Sequence, residues 1–246
     1  MNAANEYTGK ISERYNNIQT YFFLKRTNDS LIKANENLYN KLRQDFEVPD
    51  SLSKTVIDTI NVDSLKNFRK YEYLYAKVIG NSVGAPNNYI QLSRGDKQGM
   101  ERDLGVIDLN GNVVGTVIDL SENYSVVMSL LHQQSTISVK HKKSGVAGNI
   151  TWDGITPNQV SLNNIPKGVK MSVGDSIVTS GFTDRFPYGL FVGRISDIEL
   201  DKNTNIYVVK LRTAVDFYNV QYGYAIKNIK KEELQNIMKR VKKANE

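Results

Sequence analysis

His132 and His141 are the only imidazoles in this sequence, and there is no cysteine. Thiolate nucleophiles, thiolate metal sites and disulfides are therefore excluded, although the compartment is not fixed by that count. His132 follows the apolar run Val126–Leu131, and His141 sits among Lys140, Lys142 and Lys143. Neither has the His-Glu-x-x-His spacing of a zinc site, and both read as strand-end or surface histidines. Gly174-Asp175-Ser176 matches the start of the Gly-Asp-Ser-Gly-Gly run that carries the nucleophile of trypsin-class proteases, but Ile177-Val178-Thr179 follow. The glycine that shapes the oxyanion hole is missing, so Ser176 reads as part of a turn entering a strand. Asp153, Asp175, Asp184 and Glu199 are dispersed acids that form no pair legible from spacing. No glycine-rich phosphate loop or dinucleotide fingerprint occurs. These residues predict no catalytic group, no metal and no cofactor.

Composition narrows the classes further. Over 246 residues, 32 Lys and Arg face 26 Asp and Glu, a net charge of +6 that is spread out except at the C-terminal end. A nucleic-acid binder would carry a dense basic stripe interleaved with aromatic residues, so none is expected as a partner. No run of about 18 apolar residues marks a transmembrane helix. The opening Met1-Asn2-Ala3-Ala4-Asn5-Glu6 lacks the apolar core of a signal peptide. An anchoring segment upstream of this chain is compatible with both observations.

The elements that must carry such a chain fall into blocks. Residues 1–47 read as a helical stalk: Ile11, Tyr15, Ile18 and Phe22 recur at helical spacing, and Leu24, Leu31 and Leu38 are spaced by heptads. Asn28, Asn35 and Leu42 fill the alternate seam positions. Asparagine at such positions costs stability but selects register and favours parallel dimers, so a dimeric coiled coil is predicted through Leu24, Asn28, Leu31, Asn35, Leu38 and Leu42. The two seams are out of phase, which predicts a stutter near Phe22 to Leu24. Val48-Pro49-Asp50-Ser51 ends the helix, and 48–70 reads as a linker. From 71 to 230 the pattern becomes short apolar runs separated by turns. Strands are predicted at Tyr73–Ile79, Tyr89–Leu92, Gly105–Asp108, Val113–Leu120, Tyr124–Leu131, Thr136–Lys140, Val160–Leu162, Ser176–Thr179, Phe191–Ile198 and Ile206–Leu211. Asn110-Gly111 predicts a type I′ hairpin. Roughly ten short strands indicate one or two small barrels or sandwiches, dividing between 122 and 170. Residues 231–246 read as a basic helix, with Leu234, Ile237, Met238 and Val241 on one stripe and Lys239, Arg240, Lys242 and Lys243 around it. That helix either docks on its own domain or lies on an anionic membrane surface.

The most distinctive stretch is Met171 to Ile195, a turn, a strand, a glycine-hinged loop and a strand. Gly181 and Gly189 suit backbone positions that a Cβ would obstruct, and Pro187 stiffens the loop. Val173 to Gly181 reads Val-Gly-Asp-Ser-Ile-Val-Thr-Ser-Gly, and Phe186 to Ile195 reads Phe-Pro-Tyr-Gly-Leu-Phe-Val-Gly-Arg-Ile. Both runs closely resemble the MreC family of bacterial rod shape-determining proteins. Tyr75 to Ile79, Asn88 to Met100, Asn112 to Ile118, Ser125 to Leu131 and Ser144 to Trp152 resemble further family segments in the family's order. The resemblance covers about Tyr75 to Ile226, with the stalk on the expected side. Asn112 stands where the family commonly has glycine, and the basic C-terminal helix is not a general family feature.

The resemblance implies a mainly β fold: two small six-stranded β-barrels, chymotrypsin-like but noncatalytic, behind an N-terminal α-helical coiled coil. It implies a periplasmic scaffold of cell-wall elongation that maintains cell shape, anchored to the inner membrane by a segment absent from this chain. The partners it implies are the elongation penicillin-binding protein with its glycosyltransferase partner, MreD, MreB through the missing membrane part, and a second copy in a homodimer. Binding would position and activate the peptidoglycan synthase. By analogy Phe182, Phe186, Pro187, Leu190 and Val192 are the expected partner-contacting or interface-supporting loop, or else fill the second barrel. An inactive or cryptic serine-protease-like barrel and a membrane-surface module are the competing readings.

Overall fold

The computed structural model describes residues 23–40, 46–47, 68–166, 168–200 and 207–244. The upstream seam of Ile11, Tyr15, Ile18 and Phe22, the seam position Leu42, the linker over 48–67 and Ile206 lie outside the described residues.

Two compact units divide the chain, one ending at Lys41 and one from Leu42 onward. In the first, helix α1 covers 23–39. Its leucine line is open: Leu24, Leu31 and Leu38 are each about 60% exposed, at 59%, 59% and 61%, and Asn28 and Asn35 are exposed with them. Ile32 is instead buried, and Asp29, Glu36 and Tyr39 are half-buried. The steps from 29 to 32, 36 and 39 follow one helix face. That line is the less exposed face of the helix, and the heptad leucines lie on another. Among the described residues of this unit there is this one helix and no coiled coil. Nor does the helix reach 47: Phe46–Glu47 is strand β1, paired with β2 at Phe68–Arg69.

The second unit is built on two closed six-stranded antiparallel barrels. Barrel 1 takes β3 (Tyr71–Asn81), β4 (Asn87–Leu92), β5 (Gly105–Asp108), β6 (Val113–Leu120), β7 (Ser125–His132) and β14 (Tyr222–Asn228), in the order β14-β3-β4-β7-β6-β5. Barrel 2 takes β8 (Ile137–His141), β9 (Ala147–Thr151), β10 (Gln159–Asn163), β11 (Ser176–Thr179), β12 (Phe191–Leu200) and β13 (Tyr207–Thr213), in the order β10-β13-β12-β11-β8-β9. Strict alternation of inward and outward side chains in β4, β8, β9 and β10 is the period of a strand with one face on a core. Ile90, Leu92, Ile107, Val117, Val127 and Tyr224 fill barrel 1, and Val139, Ile150, Leu162, Ile177, Val209 and Leu211 fill barrel 2. Bulges at Val78/Gly80 and Val117/Asp119 bend strands that must curve to close.

The β5–β6 hairpin corrects one expectation. Gly111 has φ 82°, but Asn110 is not among the residues with positive φ, so the turn is not type I′, which needs both. Asp108 explains the difference: its Oδ1 accepts the N–H groups of Asn110 at 2.9 Å and Asn112 at 2.8 Å. The carboxylate folds the loop over itself and leaves only the glycine left-handed. Helix α2, Lys231–Ala244, follows barrel 1. Among the described residues no helix is long and apolar enough to cross a membrane.

Candidate functional site

Gly181 and Gly189 open and close the turn region of the β11–β12 loop, with φ of 71° and 96°. A Cβ on Gly181 would also meet Tyr188 Cβ at 2.9 Å, whereas Gly189 is required by its φ alone. The loop between them is fastened at its base. Thr179 Oγ1 donates to Pro187 O at 2.6 Å and accepts the Leu190 N–H at 2.9 Å. Thr179 and Leu190 also bond through their backbones, and Ser180 Oγ shares a 2.8 Å hydrogen bond with Ser138 Oγ of β8. The Phe182 N–H then donates to Ser180 Oγ at 3.1 Å. A single Thr-Ser pair at the end of β11 thus sets the path of the whole loop.

The five expected loop residues separate into distinct roles. Val192 is fully buried and belongs to the barrel 2 core. Phe186 is buried too, but between barrels: its ring lies where a Cβ on Gly105 of β5 would stand, at 2.4 Å. Arg185 reinforces that contact through Asp103, at 3.1 Å. Pro187 and Leu190 are half-buried. Phe182 is 68% exposed, and Tyr188, which the sequence reading did not single out, is 63% exposed. Lys140 Nζ stands 3.9 Å from the centre of the Phe182 ring and 5.7 Å from that of Tyr188. Both lie within cation–π range, worth about 0.5–1 kcal/mol at an exposed site. The result is a rigidly based loop that presents two aromatic rings and a cation outward. Nothing in the local sequence distinguishes Phe182 from Phe186, because the distinction is made by Gly105, far away in the chain.

A second cluster gathers polar groups at the other end of β11. His141 Nδ1 lies 2.8 Å from Ser144 Oγ and its Nε2 lies 3.1 Å from Asp175 Oδ2. Lys143 pairs with the other oxygen of Asp175, and the Ser172 N–H donates to Asp175 Oδ2 at 2.9 Å. The hydrogen bond from Lys143 and that from the Ser172 backbone hold the Asp175 carboxyl down to about 2, against the opposing effect of burial. His141 is wholly buried, and His132 nearly so, which corrects the reading of either as a surface residue; both do end strands. His132 accepts the Gln134 N–H on Nδ1 at 3.0 Å and faces Tyr89 Oη through Nε2 at 3.0 Å, and burial lowers its pKa. Ser176 takes no part in the cluster. Its Oγ accepts from Arg194 Nη1 at 3.2 Å, and the ring nitrogens of His141 are both engaged elsewhere. A serine nucleophile needs a histidine within hydrogen-bond reach of its own oxygen. The cluster instead ties the β8–β9 turn to the turn that leads into β11. Among the described residues no group of His, Asp and Glu could hold a metal ion.

Comparison with known proteins matches this geometry to one group. The family model described as "Rod shape-determining protein MreC, barrel core" matches residues 78–227. The cell shape-determining protein MreC of Listeria monocytogenes is 24% identical over 207 residues, covering 83% of this chain and 70% of that protein. That of Haemophilus influenzae is 27% identical over 175 residues, covering 67% of this chain and 49% of that protein. Among solved structures, MreC of Listeria monocytogenes aligns with a TM-score of 0.59 at 22% identity, over 92% of this chain and 96% of that one. A complex between the penicillin-binding protein PBP2 and MreC from Helicobacter pylori contains a chain of the same fold. It aligns with a TM-score of 0.52 at 18% identity, over 65% of this chain and 99% of that one.

Proposed function

The chain belongs to the MreC family of rod shape-determining proteins, and on that premise we propose that it is a noncatalytic scaffold of cell-wall elongation that grips a penicillin-binding protein through the β11–β12 loop. The observation that carries the loop assignment is the exposure of Phe182 and Tyr188 on a backbone fixed by Thr179, Ser180 and Phe186. Binding hot spots favour aromatic side chains, and a loop ordered before association loses little entropy on binding. Lys140 adds a cation beside the rings. The Helicobacter pylori complex of PBP2 with MreC supports the class of partner.

The wider reading keeps the assembly expected of the family. The scaffold sits in the periplasm, held to the inner membrane, and associates with MreD, with MreB and with the glycosyltransferase partner of the synthase. Binding positions and activates that synthase. The exposed line of Leu24, Leu31 and Leu38, with Asn28 and Asn35, is the seam through which two copies pair, Leu42 continuing it.

The test is titration of this chain against the periplasmic domain of the elongation penicillin-binding protein from the same bacterium. Phe182→Ala and Tyr188→Ala, both at exposed sites, are expected to weaken saturable binding by about thirtyfold each, the lower end of hot-spot effects. Wild-type binding with both variants unimpaired would remove the loop from the interface. Absence of wild-type binding would remove the partner.

A further inference from the structure

Helix α2 is the one described element whose chemistry the scaffold reading does not use. Residues 230–246 hold Lys230, Lys231, Lys239, Arg240, Lys242 and Lys243 against Glu232, Glu233 and Glu246. Both acids within the helix lie in its first turn, so from 234 to 244 every charge is positive. Helical spacing places positions 234, 237, 238, 241 and 244 on one arc, filled by Leu, Ile, Met, Val and Ala. Lys231 and Lys242 border that arc on one side, and on the other lie Arg240 and, in the first turn, Glu233. An apolar arc edged by long cationic side chains is the pattern of a helix lying in a membrane interface, where the stems snorkel and the charges meet headgroups.

Ile237 is the residue of this arc whose exposure is described. Every described side chain of α2 after Lys231 is exposed, and Ile237, on the apolar arc, is 50% exposed. A helix docked on its own barrel would bury that position. In the first turn, Lys231 Nζ donates to Arg102 O at 2.9 Å. Just before it, the Ile229 N–H donates to Lys70 O at 2.9 Å, and Asn228 pairs with Tyr71. The helix therefore leaves barrel 1 at the pole where the chain enters β3.

We infer that α2 is a second contact with the membrane: its apolar arc inserts into the interface of an anionic bilayer, and Lys239, Arg240, Lys242 and Lys243 hold phosphate headgroups. The charge favours a lipid surface over a second copy, because two such helices would bring like charges together. Each cation near an anionic leaflet strengthens binding several-fold, and salt weakens it.

Sedimentation of the whole chain with vesicles tests this. Vesicles of phosphatidylcholine with about 30 mol% phosphatidylglycerol are expected to carry the protein down at low salt, and pure phosphatidylcholine is not. Replacing Lys239, Arg240, Lys242 and Lys243 together by Gln should weaken the partition at least tenfold, on the order of a few-fold per charge. Ile237→Asp should weaken it with all the cations still present, and both variants should keep the thermal transition of the parent. Equal sedimentation of parent and variants, or binding to neither vesicle, would overturn the inference. So would binding that ignores Ile237→Asp, which would reduce the contact to surface charge. Self-association without vesicles that Ile237→Asp abolishes would assign the arc to a second copy instead.

Discussion

At Gly105 a Cβ would come within 2.4 Å of the Phe186 ring and 2.5 Å of Arg185 O. Backbone cannot yield there cheaply, so Gly105→Ala is expected to cost about 1–3 kcal/mol by overpacking, read as a lower urea midpoint with an unchanged slope. The same substitution should weaken partner binding through a residue that touches no partner, because Phe186 holds the loop that presents Phe182. Asp175 gives a pH signature. Its carboxyl is held at about 2 in the fold against 3.8 as its ordinary value, so its contribution is complete above about 4 and is lost as pH falls toward 2. Asp175→Asn is expected to lower Tm at pH 7 and to converge with the parent in scans between pH 4 and 2. Convergence already complete at pH 6 would assign the effect to another group. The types and order of the loop residues were readable in the sequence. Which phenylalanine faces solvent was not, since Gly105 and Thr179 decide it across the fold.

Strands were legible where large apolar residues alternate with polar ones, as in β4 and β8. The bounds read for β5, β6 and β11 coincide with those observed. Two of the barrel strands escaped for a physical reason. In β9 the inward positions are Gly148 and Ile150, and a Cβ on Gly148 would meet Asn163 O at 2.6 Å, so close packing has replaced the apolar signal. In β14 four successive residues from Gly223 to Ile226 are buried, and no period of two survives. Helix α1 raises the opposite problem, because its heptad leucines were plain while the burial of Ile32 was not. If that exposed line is the seam between copies, Leu31→Glu with Leu38→Glu should render the chain monomeric in sedimentation at tens of micromolar. Asn28→Leu with Asn35→Leu should instead tighten association and broaden the distribution of oligomers, since polar seam residues select register. A parent chain that is monomeric under those conditions would remove the dimer.

Barrel 1 is interrupted in sequence: five of its strands precede barrel 2, and β14 returns after it to pair with β3 on one side and β5 on the other. The order of elements along the chain could not reveal this, because strands that are neighbours in sequence give no sign of a gap waiting for one that arrives more than a hundred residues later. Closure joins the barrels mechanically as well as topologically. Barrel 2 hangs between β7 and β14, Phe186 packs on β5, and Asn81 of β3 donates to Phe217 O at 2.6 Å in the segment leading to β14. A chain ending at Gln221 would lose the buried side chains of Tyr224, Ala225 and Ile226 and leave β3 and β5 with unpaired edges. The lost burial alone is on the order of 5 kcal/mol, comparable with the whole stability of a small domain. Such a chain is expected to lose the cooperative transition of barrel 1 and to aggregate through the opened edges. A chain ending at Lys230 keeps β14 and discards only α2, and it should melt within a few degrees of the parent while no longer sedimenting with anionic vesicles. If both truncations melted like the parent, β14 would not be what closes the barrel. If the longer one also unfolded, α2 would be part of the fold rather than a contact beyond it.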